Sequence, residues 1–180
     1  MGQTKTDNSY LPDKAALRAN HLPDGDVRVI DCYGGKGLVW AAVARLSGRR
    51  ISRLPIDIKN DVGFALAGDN IQFLNTIDLN RFNCVDLDAY GVPAEQLKIL
   101  SARQYTGWVY VTFIQTLYGM IPYSVYETCG VTKEMVKKSP TLFSRRGWEW
   151  FREFLARLGV ERIYHRSASR KHYMAFRMGQ

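Results

Sequence analysis

Four carboxylates, Asp31, Asp57, Asp86 and Asp88, stand where apolar runs give way to loops, and glycines gather just after the first of them. A charged carboxylate accepts hydrogen bonds from hydroxyls and amines more strongly than a neutral acceptor does. It also balances a cation. The stretch V-R-V-I-D-C-Y-G-G-K-G, residues 27 to 37, sets Asp31 and Tyr33 directly before Gly34, Gly35 and Gly37. Its spacing, D-x-Y-G-G-x-G, differs from the G-x-G-x-x-G of dinucleotide-binding turns. A pyrophosphate is best served by uncharged backbone at a helix N-terminus, so an acid at this point suits a positively charged ligand such as an amino group or a sulfonium.

Regular elements must present these residues. Val27 to Asp31 is a strand, Leu38 to about Leu46 a helix closed by Ser47 and Gly48, and Ile51 to Ile56 a second strand ending at Asp57. Asp57 follows Gly37 by twenty residues, the interval at which Rossmann-like folds set an acid against ribose hydroxyls. A short helix is expected over Asp61 to Ala67, then Gly68-Asp69-Asn70, then a helical period from Asn70 to Leu79. Asp69 is either a helix cap or a ligand contact. A strand from Arg81 to Val85 leads into V-D-L-D-A-Y-G-V-P, residues 85 to 93, and Pro93 opens a helix from Ala94 to about Arg103. The apolar run Gly107 to Gln115 is a strand covered on both faces.

Beyond it lie Tyr118, Tyr123 and Tyr126 on loop or short helix, and a basic helix from Lys133 to Lys138 capped by Thr132. An amphipathic helix from about Arg145 to Leu158 follows, then two strands flanking a tip at Ser167 to Arg170. At the other end, residues 1–9 are expected to form a flexible polar tail, followed by a helix from Lys14 to about Asn20. There Tyr10, Lys14 and Arg18 either meet a ligand or face water.

The 180 residues, 46% hydrophobic and 23% charged, fit one domain over residues 10–180 with a proper core. No apolar run approaches the roughly 20 residues of a membrane span, and the amino-terminal stretch M-G-Q-T-K-T lacks the apolar centre of a signal peptide. A cytoplasmic protein with no membrane partner is expected; Gly2 and Thr6 match a myristoylation pattern only formally. Cys32, Cys84 and Cys129 are odd in number and form no C-x-x-C pair, and His21, His165 and His172 are scattered. Neither a disulfide framework nor a metal site is indicated. The 25 basic against 17 acidic residues give a net charge of +8, which favours polyanions. Lys133, Lys137, Lys138, Arg145 and Arg146, with the hairpin tip, are phosphate contacts or a solvated basic surface.

The stretch around Asp31 resembles motif I of the class I S-adenosylmethionine (SAM) dependent methyltransferases. The resemblance spans most of the chain and implies an α/β fold: a Rossmann-like, seven-stranded, mostly parallel sheet with helices on both faces and a C-terminal antiparallel hairpin. It implies SAM as cofactor, with Asp31, Tyr33, Gly35 and Gly37 at its methionine part, Asp57 at the ribose with Ile58 beside it, Asp69 and Asn70 at the adenine, and Asp86 nearby. The segment D-L-D-A-Y-G, Asp86 to Gly91, is similar to the D-L-D-P-[FY]-G of tRNA guanine-N2 dimethyltransferases. More distantly it resembles the [DN]-P-P-[YF] of enzymes methylating exocyclic base amines. Ala89 stands where those families carry proline. The likeness implies Asp86, Asp88 and Tyr90 as catalytic residues and nucleic acid, RNA or DNA, as substrate.

Such chemistry has physical reasons for these residue types. An exocyclic amine is a weak nucleophile because its lone pair is delocalised into the base. A carboxylate accepting its N–H groups draws the nitrogen toward tetrahedral geometry, and alignment with the methyl group supplies much of the rest. Tyr90 would stack on an unpaired base, worth about 1–3 kcal/mol. With no insertion large enough for a separate recognition domain, either short loops read the target or a partner protein does. Two other readings stay open on the same fold: a small-molecule or protein methyltransferase, and a non-catalytic subunit binding SAM or nucleic acid.

Overall fold

The computed structural model describes residues 10–58, 65–114, 121–169 and 171–179. Seven strands form one sheet in the order β3-β2-β1-β4-β5-β7-β6. They are β1 (Val27–Asp31), β2 (Ile51–Asp57), β3 (Leu66–Ala67), β4 (Cys84–Leu87), β5 (Trp108–Ile114), β6 (Tyr164–Ala168) and β7 (Lys171–Arg177). Strands β1 to β5 pair in parallel, and β7 runs antiparallel between β5 and β6. The expected architecture is therefore the observed one. Chain order reverses between β1 and β4, and such a reversal opens a crevice at the carboxyl ends of the strands.

The sheet is sandwiched because its central strands are apolar on both sides. Val27, Val29, Cys84, Tyr110, Tyr173 and Ala175 face α1 (Leu11–Ala19) and α2 (Leu38–Ser47), where Leu17, Trp40 and Val43 cover them. Ile30, Val85, Leu87, Val111, Phe113 and Met174 face the other layer. That layer contains α3 (Asn70–Thr76), α4 (Ala94–Ala102), α5 (Tyr123–Thr128), α6 (Lys133–Lys138), α7 (Pro140–Arg145) and α8 (Gly147–Arg157). Alternation along β4 thus turns Asp86 toward α1 and α2 while Val85 and Leu87 fill the opposite core. Among the described residues no helix is long and apolar enough to cross a membrane.

Several boundaries differ from the sequence expectation. Leu66–Ala67, placed in a helix by sequence, is an edge strand held in parallel register with Ile56 and Asp57; residues 59–64 lie outside the described residues. The helix from Asn70 stops at Thr76, and Leu79–Arg81 is a separate 3-10 turn capped by Asp78. Strand β4 consequently begins at Cys84 rather than Arg81, which brings Asp86 inside it. The segment before α8 forms its own helix, α7, opened by Pro140 in its first turn. Tyr118 and Arg170 lie outside the described residues, while Tyr123 and Tyr126 belong to α5.

Candidate functional site

Adjacent strands bring the acids together. In register, Asp31 of β1 lies beside Asp86 of β4, and Asp88 follows two residues on. All three line a cavity of about 410 Å³ at the carboxyl rim, together with Tyr33, Gly34, Gly35, Gly37, Lys14 and Lys36. The volume is that of a site for a small-molecule cofactor.

The glycine turn is held by its backbone. Gly34 donates its N–H to the Ile56 carbonyl at 2.9 Å, and Gly35 donates to Asp57 Oδ2 at 3.0 Å. Gly37 has φ +70°, and a Cβ on it would fall 2.5 Å from the Arg53 guanidinium. A side chain there is strained by the left-handed backbone, and its Cβ would make the Arg53 guanidinium move aside. Gly37→Ala is expected to lower folding stability by about 1–2 kcal/mol and to dislodge Arg53, read as a lower denaturant midpoint; an unchanged midpoint would refute this account of the turn.

Each gathered acid has a basic partner that sequence reasoning did not assign to it. Arg53 reaches Asp31 Oδ2 at 2.9 Å and the Gly34 carbonyl at 3.1 Å. Arg18 grips Asp86 through two hydrogen bonds of 2.9 and 2.7 Å, and Trp40 Nε1 donates to the same carboxylate at 2.7 Å. Lys14 Nζ lies 2.8 Å from both oxygens of Asp88, and Thr112 donates its hydroxyl to Oδ1. Lys14 and Arg18 share one face of α1, four residues apart, but only the packing of α1 against β4 shows which acids they meet. Arg18 is neither a ligand contact nor solvated. Both it and Asp86 are only 1% exposed, so Asp86, expected to serve catalysis and cofactor, is occupied in anchoring α1.

Burial and charge set the ionisation. Desolvation first, and then the Asp86 charge, push the Asp31 carboxyl up to about 7 against the pull of Arg53 and Arg18. The folded chain therefore holds a proton that the unfolded chain releases between about pH 4 and 7, and stability falls as pH rises through that window. Burial raises Asp86 as well, while Arg18 and Trp40 draw it back. For Asp88 burial raises, but Arg18, Lys14 and Thr112 together win, and the carboxylate is held below its ordinary range.

The remaining expected residues fall around the rim. Asp57 ends β2, and Ile58 beside it is 77% exposed, unusual for isoleucine. Asp69 caps α3 by accepting the Ile71 N–H at 2.9 Å. Asn70 donates to the Cys32 carbonyl at 3.0 Å and accepts from Gln96, whose amide also reaches the Tyr33 hydroxyl at 3.0 Å. Gln96, which the sequence reading missed, is the polar residue on the otherwise apolar buried face of α4, and it ties Tyr33 and Asn70 into one network. Tyr90 is 74% exposed in the loop after β4. His165 and His172, scattered in sequence, meet at 2.9 Å across the hairpin, yet among the described residues no cluster of histidine, cysteine and acid could hold a metal.

No protein family and no curated protein matches the sequence. Solved structures do. A Bordetella parapertussis protein described as a candidate exported protein shares 11% identity at a TM-score of 0.59, over 94% of this chain and 67% of that one. A protein from Clostridium thermocellum, assigned provisionally as an rRNA methylase, shares 15% at 0.53, over 96% and 97%. A Methanococcus maripaludis protein, assigned provisionally as a SAM-dependent methyltransferase, shares 14% at 0.53, over 100% and 98%. At these identities the likeness establishes architecture: the chain has the fold of the class I SAM-dependent methyltransferases.

Proposed function

We propose that the protein is a SAM-dependent methyltransferase acting on an exocyclic base amine of RNA or DNA. The observation that carries this reading is one cavity holding a side-chain-intolerant glycine turn, Asp31 and Asp88. The donor set suits SAM. Asp31 keeps its Oδ1 without a described hydrogen bond, in reach of a ligand's ammonium group. Asp57 stands at the end of β2 for the ribose hydroxyls, and exposed Ile58 offers a flat ring an apolar seat. Tyr33, Asn70 and Gln96 keep the turn in shape. When bound, SAM would supply an electrophilic methyl group on a cationic sulfur.

The chain's own residues would handle the acceptor. Asp88 stays ionised and accepts N–H hydrogens; Thr112 fixes its orientation. Lys14 Nζ occupies the place of an acceptor amine, so an incoming base would share or displace it. Tyr90, uncovered, stacks on the base.

Calorimetry with SAM and with its demethylated product tests the cofactor; absence of binding to both would remove the enzyme reading. Tritiated SAM offered with separate pools of tRNA, ribosomal RNA and DNA tests the acceptor, and label found only in protein or small molecules would overturn the nucleic-acid part. Since Asp31 titrates near neutrality, SAM affinity is expected to rise about tenfold from pH 6 to 8, as the carboxylate forms. Asp31→Asn should flatten that profile, and an equal slope in both proteins would exclude Asp31 as the group responsible.

A further inference from the structure

We infer that α6 and α7 form a docking surface for the phosphate backbone of a single-stranded nucleic acid; this rests on the nucleic-acid reading above and names the surface that would serve it. Residues 121–146 carry Lys133, Lys137, Lys138, Arg145 and Arg146 against only Glu127 and Glu134. All five cations are exposed, and Lys133 lies over the Tyr123 ring at 5.3 Å.

The platform is fixed to the body. Val136 and Phe143 are buried, the Tyr126 hydroxyl donates to the Phe143 carbonyl at 3.2 Å, and Phe143 stacks on Trp150 at 5.3 Å between centroids. Its cations therefore point outward from an anchored base. Position follows from α8. Trp148, in its first turn, stacks on His172 at 4.1 Å, and His172 pairs with Phe113 near the carboxyl end of β5. Arg145 and Arg146, just before that turn, thus lie toward the rim that bears the cavity.

Two apolar residues, Met135 and Leu142, stand half exposed among the cations. A strand of nucleic acid offers both what they and their neighbours need, apolar base faces and regularly spaced anions. A lipid surface fits less well. Helices of six residues, each about 9 Å long, present no continuous apolar face to insert.

The test uses the whole chain, a short fluorescein-labelled single-stranded RNA, and vesicles of phosphatidylserine and phosphatidylcholine. Lys133→Ala/Lys137→Ala/Lys138→Ala should bind the RNA at least about tenfold more weakly, with a log–log salt slope shallower by about two. Arg145→Ala/Arg146→Ala should weaken it similarly, and both variants should keep the wild-type melting temperature and SAM affinity. RNA binding unchanged in both variants would overturn the inference, as would a wild-type protein that binds vesicles and not RNA, or neither. SAM affinity, measured on the same samples, reports separately on the enzyme reading.

Discussion

Arg18→Met is expected to cost about 3–5 kcal/mol of folding free energy, because it strands a carboxylate in the interior. The pair is bidentate, and both side chains are sealed between α1 and the sheet. The loss belongs to the orphaned Asp86 charge more than to the missing attraction. Adding Asp86→Asn should accordingly restore most of the stability, since an amide oxygen can still accept the Trp40 N–H. Urea unfolding of the two variants reads the difference. A double variant as unstable as the single one would show that packing of the arginine, not charge, holds the helix.

Asp88→Asn is expected to lower turnover about 100-fold or more while leaving SAM affinity within a few-fold of wild type. An amide cannot take two N–H hydrogens from an acceptor while also facing Lys14, and its NH2 would turn toward Lys14 or Thr112. Binding of SAM does not depend on that contact, as the glycine turn and Asp31 lie on the neighbouring strand. Single-turnover assays beside calorimetry separate the two quantities. Wild-type turnover in the variant would remove Asp88 from the chemistry and return it to a purely structural pairing with α1.

Strands β1, β2 and β5 and helices α2 and α4 were legible in the sequence because their apolar residues run continuously or recur at one period, with glycine or proline at the ends, and the short basic α6 was legible from its Thr132 cap. Strand β3 was not. Two residues have no periodicity, and only pairing with Ile56 and Asp57 makes them a strand. Helix α7 was not read either, because six residues opened by Pro140 are too few to show a period of their own. The gathering of Asp31, Asp86 and Asp88 at one rim followed from their places at strand ends. Their cations did not, because Lys14, Arg18 and Arg53 reach them across contacts between distant segments. The expected strongly acidic pocket is therefore a charge-balanced one.

One consequence follows from the place of β7, last of the seven strands in sequence yet interior to the sheet. While the chain emerges from a ribosome, β5 keeps a bare edge along all seven of its residues until that strand is made and slots in. Helix α1, seated earlier on α2 and β4, completes its outer contacts only then, since Tyr10 and Asp13 meet Tyr173 and Arg166. The earliest and latest described segments therefore close on each other, whereas the carboxylates at the rim draw their counter-ions from Lys14, Arg18 and Arg53, all of them made before β5.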